Sequence, residues 1–225
     1  MKKFQAVIFD MDGTIVDTSS IWKTVNELFL IKRNVWSQEL FEKVNLLLHG
    51  VPVRQCITEF KAMLNLQAES DAVIMDEFDQ LIKENYELEI KYIKECESFI
   101  KKLLHYNIPL AIATNSCNYG IEKVDQGVNL RQYFAHHIYG ISCVNNLPKP
   151  APDIFLHAAK QLNINPENCI VFEDSVHGVI AAKNALMYTI AINTSGIREN
   201  LIHADKIIDC YSEINLHDYF LIKEI

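Results

Sequence analysis

Residues 6–14 read AVIFDMDGT, a short apolar run that ends on Asp10 and Asp12, with Gly13 behind them. The run is too short for a helix and has no polar position, which fits a strand buried on both faces. Two carboxylates at the end of such a strand repel one another, and repulsion raises a carboxyl pKa unless a cation is shared. In an extended segment, residues two apart point to the same side, so Asp10 and Asp12 can face one site. Mg²⁺ fits that need, because it takes oxygen ligands and binds through one or two carboxylates together with substrate phosphate. Taken alone, the same D-x-D-G stretch is equally well an acidic turn.

The rest of the chain extends the pattern. Further candidate strands are Leu110–Ala113, His137–Tyr139, Cys169–Phe172, Thr189–Ile192 and Lys206–Ile208. Between them Ile154, Phe155, Ala158, Ala159 and Leu162 recur at helical spacing, as do Val176, Val179 and Ile180. Strands alternating with helices give an α/β fold, a doubly wound parallel sheet covered on both faces. Residues 18–93 break the alternation. They carry helical patterns (Ile21, Val25, Leu28 and Phe29, then Ile74, Phe78, Leu81 and Ile82) and no strand, with a helix break expected at His49–Pro52. The expected organisation is a catalytic core of residues 1–17 and 94–225 with an inserted helical domain at 18–93.

Ligands of open α/β sheets bind outside the carboxyl ends of the strands. Asp10 and Asp12 sit at the first such end. The second carries Thr114, Asn115 and Ser116, a hydroxyl and backbone N–H groups ahead of a helix, which can cradle phosphate or simply cap the helix. The third is Pro148-Lys149-Pro150-Ala151-Pro152, where prolines stiffen the loop around one lysine that can offset a carboxylate and a phosphate together. The fourth follows Cys169–Phe172 with Glu173, Asp174 and Ser175, which can complete a metal shell or cap a helix. One shared site accounts for all four ends at once.

These motifs, in this order, resemble the haloacid dehalogenase superfamily of phosphotransferases. DMDGT is similar to its first motif, Thr114 to its second, Lys149 to its third and Glu173-Asp174 to its fourth. The stretch KPAPDIFLHAAKQL…CIVFEDSVHGVIAAKNA resembles the beta-phosphoglucomutase-like branch. The resemblance implies a Rossmann-like core and a helical cap that closes over the substrate. It implies Asp10 as nucleophile, Asp12 as general acid and base, and Mg²⁺ held by the Asp10 carboxylate, the Asp12 backbone carbonyl, Asp174 and Glu173. Thr114, the backbone of Asn115, and Lys149 would bind the transferring phosphoryl group.

Two departures bear on specificity. Trp22 stands where the sugar-phosphate mutases of this branch carry a histidine, and Arg54 falls one position later than their cap arginine. Both favour a phosphatase of small monoesters, phosphosugars or related metabolites, over a mutase. Trp22, Arg54 and Asn118 are kept as specificity candidates, with Trp36, Lys83 and Tyr86 as further cap positions, although most cap aromatics belong to core. A non-catalytic phosphate-binding protein and a phospho-accepting receiver are the other readings. The large helical insertion after the acidic pair counts against the receiver, and the complete motif set against the non-catalytic protein.

Bulk properties agree with a small-molecule substrate. The net charge of −8 gives no electrostatic support for a nucleic acid or an anionic membrane as partner. No apolar stretch approaches a membrane span, and the run after the first lysines is broken at Asp10, so no signal peptide is expected and a cytoplasmic location is the default. Six cysteines without a C-x-x-C pair read as reduced, packed thiols. His136 and His137, adjacent on an expected strand, should point to opposite faces and are read as structural. Nothing demands more than a monomer.

Overall fold

The computed structural model describes residues 3–48, 53–85 and 90–222. Its chain divides into two compact units, Met1–Asp17 with Ile90–Ile225, and Thr18–Glu89. The expected helix break at residues 49–52 and the side chain of Tyr86 lie outside the described residues.

The inserted unit is helical: α1 (Ser19–Lys32), α2 (Gln38–Leu47), α3 (Ile57–Leu64) and α4 (Asp71–Asn85). Ser37 starts α2 by accepting the Leu40 N–H at 3.2 Å, a side-chain cap. The interior is an aromatic knot. Phe29 stacks on Phe78 at 4.5 Å between ring centroids, and Phe60 meets both edge-on. Arg33 covers Phe29 at 4.4 Å while its guanidinium pairs with Glu69 and Glu77, so one side chain closes the apolar cluster and ties α1 to α4.

The other unit carries a six-stranded sheet. Its strands are β1 (Ala6–Phe9), β4 (Leu110–Ala113), β5 (Ile138–Tyr139), β6 (Cys169–Glu173), β7 (Tyr188–Ile192) and β8 (Lys206–Ile208). All pairings are parallel, in the order β5-β4-β1-β6-β7-β8. β1 is central, and the chain adds strands first on one side of it and then on the other, as the doubly wound reading expects. A separate antiparallel ribbon joins β2 (Val16–Asp17) to β3 (Lys91–Tyr92). That ribbon places residues 90–93 with the sheet unit, so the inserted unit ends at Glu89 where the sequence reading extended it to 93.

The helices of this unit are α5 (Cys96–His105), α6 (Asn118–Val128), α7 (Arg131–Phe134), α8 (Asp153–Gln161), α9 (Val176–Asn184) and α10 (Leu216–Tyr219). The alternation of β1 splits the core. Ala6 and Ile8 pack with Ala158, Ala159, Ala181 and Ala182 of α8 and α9, where small side chains let helix and sheet approach closely. Phe9 points the other way and stacks on Phe172 at 5.2 Å, with Phe99, Phe134 and Tyr211 around it.

Three strands end where the sequence places them at both ends (β1, β4 and β8). β5 is shorter than expected and begins at Ile138, so His136 and His137 precede the strand. Their rings lie 4.1 Å apart, tilted against each other, which corrects the expectation of opposite faces. All six cysteines are free. Cys56, Cys96 and Cys169 are buried, but Cys117 and Cys143 are exposed. Burial pushes the Cys96 and Cys169 thiols up to about 12.

Candidate active site

Register brings the motifs to one level. Phe9 pairs with Ile112 on one side and Phe172 on the other, so Asp10, the Thr114 loop and Glu173 emerge side by side at the carboxyl end of the sheet. The Asp10 N–H still donates to Phe172 O at 2.9 Å, extending the ladder to the aspartate itself. The chain then turns tightly. Ile15 and Val16 N–H both donate to Met11 O, and Gly13 takes φ +79°, a conformation that side chains rarely adopt. A Cβ on Gly13 would also lie 2.1 Å from Asp174 Oδ2, so the turn needs glycine for both reasons.

Lys149 is the buried hub, 2% exposed. Its Nζ donates to Asp10 Oδ1 at 2.5 Å and to Glu173 Oε1 at 2.7 Å, and it lies 4.6 Å from the centre of the Phe155 ring. The Lys149–Pro150 peptide is cis. Burial works against the ammonium, yet Asp10 and Glu173 outweigh it and hold the lysine above its usual range. The other Glu173 oxygen accepts from Asp174 N, Ser175 N and the Ser175 hydroxyl at 2.8–3.0 Å. Both carboxylate oxygens are therefore engaged. Gly178 makes room for them, since a Cβ there would stand 1.7 Å from Glu173 Oε1.

Asp10, Glu173 and Asp174 form the one group of three or more metal-ligating side chains found among the described residues, with ligand atoms all within 4.8 Å of one another. Burial is the main cause that raises the Asp10 carboxyl well above its usual value, with Glu173 and Asp12 adding to it and Lys149 opposing. Asp174 is raised in the same way, by burial first and then by Glu173 and Asp10. The Thr14 hydroxyl donates to Asp174 Oδ1 at 3.3 Å. Three buried carboxylates against one lysine form an oxygen-rich site with an excess of negative charge, the donor chemistry that suits a hard divalent cation. Asp10 Oδ2 and Asp174 Oδ2 have no hydrogen-bond partner among the described residues.

Asp12 does not join that cluster. The Ser116 hydroxyl donates to its Oδ2 at 2.6 Å, and Thr114 Oγ1 stands at 3.5 Å from the same oxygen. The two aspartates thus divide, one toward the lysine and the other toward the loop after β4. Thr114 Oγ1 also accepts the Ser116 N–H at 3.0 Å, and Asn115 Oδ1 accepts the Lys149 N–H at 3.0 Å. The Thr14 contact has no signal in the sequence, and Ser116, named there only as part of the loop after β4, proves to be the partner of Asp12. Ser116 lies two residues from Thr114 in the same loop, and its partner depends on the turn after β1.

Of the remaining candidates, Asn118 opens α6, is exposed, and accepts from the Ser142 hydroxyl at 2.9 Å. Trp22 is half-buried on the first turns of α1, and Arg54 is exposed in a short 3-10 turn, both in the helical unit.

Residues 7–192 match the haloacid dehalogenase-like hydrolase family. The chain belongs to that family and is an enzyme of it. It is 30% identical over 224 residues to the bifunctional riboflavin kinase/FMN phosphatase of Arabidopsis thaliana, covering 98% of this chain and 57% of that protein, so it spans little more than half of that relative. It is also 30% identical over 191 residues to a phosphorylated carbohydrates phosphatase of Thermotoga maritima, covering 80% of this chain and 81% of that relative. Among solved structures, the beta-phosphoglucomutase of Clostridium difficile shares the fold, with a TM-score of 0.73 at 22% identity over 96% of this chain and 95% of that one. No helix among the described residues is long and apolar enough to cross a membrane.

Proposed function

We propose that the protein is a divalent-metal-dependent phosphatase of small phosphate monoesters, of the phosphosugar class. The observation that carries this reading is the buried Asp10–Lys149–Glu173–Asp174 constellation, with Asp12 held beside it by the Ser116 hydroxyl. The relative named for phosphorylated carbohydrates supports the substrate class.

Asp10 is the nucleophile. One carboxylate oxygen attacks phosphorus, the P–O bond to the alcohol breaks, and an aspartyl-phosphate forms. Asp12 gives its proton to the departing alkoxide, then takes one from the water that attacks the aspartyl-phosphate and releases Asp10. Lys149 neutralises charge that builds on the phosphoryl oxygens, and being already fixed by Glu173 it needs little reorganisation to do so. The Thr114 hydroxyl and the N–H of Asn115 complete the phosphoryl contacts. The fit to a hard cation rests on the unpartnered oxygens of Asp10 and Asp174, and Mg²⁺ would be held by these two, by the Asp12 backbone carbonyl and by Glu173. Bound there, it would supply Lewis-acid polarisation of a phosphoryl oxygen. Residues Thr18–Glu89 would be the lid that selects the alcohol and excludes water, with Trp22 and Arg54 in that unit, and Asn118 at the start of α6, as specificity positions.

The test is phosphate release from a panel of sugar, nucleotide and polyol phosphates, with Mg²⁺ and with EDTA, beside Asp10→Asn. Release that requires Mg²⁺ and vanishes in the variant is expected. No release from any substrate by the intact protein would overturn the phosphatase reading.

A further inference from the structure

We propose that the Asn115 side chain is a positioning residue for Lys149, anchoring the backbone of the lysine so that its ammonium and the loop after β4 stay in one register. The inference rests on the phosphatase reading above and assigns Asn115 a part beyond its backbone N–H.

The argument begins with proline chemistry. Pro148 and Pro150 flank Lys149 and carry no N–H, so the Lys149 N–H is the one backbone donor in residues 148–150. Asn115 Oδ1 takes it at 3.0 Å. The far side of the loop is held separately, by Asn184 Nδ2 donating to Pro150 O at 3.3 Å. The lysine head is fixed by Asp10 and Glu173, but a long flexible side chain does not fix its own backbone. Asn115 supplies that second point. It sits between Thr114 and Ser116, whose hydroxyls lie against Asp12, so one residue links the Asp12 side of the site to the Lys149 side.

Two further observations separate this role from a local one. Asn115 does not cap α6, because the N-cap is Cys117 and no side chain caps that helix start. Asn115 Nδ2 is buried with no partner, a cost that a residue serving only its own hydrogen bonding would not carry. The acceptor oxygen is the part of the amide in use.

A double-mutant cycle on the full chain tests the idea, using Asn115→Ala and Lys149→Ala singly and together. In the parent, Asn115→Ala is expected to lower kcat about 30-fold with little change in KM. In the Lys149→Ala background the same change should alter kcat/KM by no more than about twofold, because the residue it acts through is gone. An equal factor in both backgrounds, or no loss in the parent, overturns the proposal. Asn115→Asp is the second variant. It keeps the acceptor oxygen but adds charge beside the phosphate, so KM should rise while kcat stays within about threefold. A kcat loss as large as that of alanine overturns the proposal as well. Wild-type turnover in the same assays reports the phosphatase reading by itself. Inorganic phosphate affinity across the four proteins of the cycle, by calorimetry with Mg²⁺, gives the coupling without turnover.

Discussion

Lys149 and Glu173 form a buried ion pair, Nζ to Oε1 at 2.7 Å, in which the glutamate is held before it holds the lysine. Three donors grip its other oxygen, two of them backbone N–H groups at the start of α9. The strand-to-helix turn after β6 thereby fixes the cation from beneath, and the cation in turn sits against Asp10. Rigidity passes from backbone to carboxylate to ammonium to nucleophile.

Removing the cation should expose how much charge the site stores. Lys149→Met leaves three buried carboxylates without a partner cation. Breaking a buried pair costs about 3–5 kcal/mol, and loss of one charge-stabilising donor costs about 10²–10³ in rate. Urea unfolding in EDTA should show the stability loss, and Mg²⁺ should restore part of it. A variant as stable as wild type in EDTA would mean that the Lys149 ion pairs with Asp10 and Glu173 do not stabilise the fold.

The glycines behind the site make a sharper comparison. Gly178→Ala places a methyl 1.7 Å from Glu173 Oε1, and both Glu173 and the helix start must shift to admit it. Activity should fall by about 10²-fold or more, since roughly an ångström of misplacement is enough for that. At Gly196 a Cβ meets nothing within 4 Å, and the strain at φ +77° alone should cost about 1–2 kcal/mol while leaving kcat near wild type. Steady-state kinetics beside thermal melts separate the two. Equal kcat losses at both glycines would refute the tight fit around Glu173.

Ser116 is the least conspicuous contact and the simplest to remove. Its hydroxyl holds Asp12 Oδ2 at 2.6 Å, and Thr114 at 3.5 Å is a poor substitute. A hydrogen bond to a charged group contributes about 1.5–3 kcal/mol, so Ser116→Ala should lower kcat at least about tenfold and lower the melting temperature by a few degrees. Unchanged kcat would show that Asp12 orients without it.

What the sequence could show follows from the range of each interaction. β1 and β4 are apolar at every position and end on chemistry-bearing residues, so their limits and the level of the site are visible in the chain. The β2–β3 ribbon is two residues long on each side and pairs segments far apart in sequence, which leaves no local pattern to read. Likewise, Glu173 is visible as an acid, but which oxygen meets Lys149 is decided by the turn into α9 and by the space at Gly178. The division of Asp10 from Asp12 was not legible either. Side-chain alternation puts both on one side only while the backbone stays extended, and the chain turns immediately after Asp10.

Metal and pH should be coupled through the two raised carboxyls. Burial lifts Asp10 and Asp174 above their usual value of 3.8, so the folded metal-free protein retains protons that the unfolded chain has released. Their contribution to stability therefore falls as pH rises from that value through the raised folded ones. Cation binding needs both groups ionised, so its affinity increases over the same interval. Titrating groups remote from the site contribute equally with and without metal, so the difference between the two conditions reports the buried cluster in which Asp10 and Asp174 lie. The rise in melting temperature given by Mg²⁺ over EDTA should be smallest in acid and grow as pH rises through the range in which these raised carboxyls ionise. In Asp174→Asn the increment should shrink at every pH and lose most of its slope. An increment independent of pH in the wild type would mean that these carboxyls do not hold the ion.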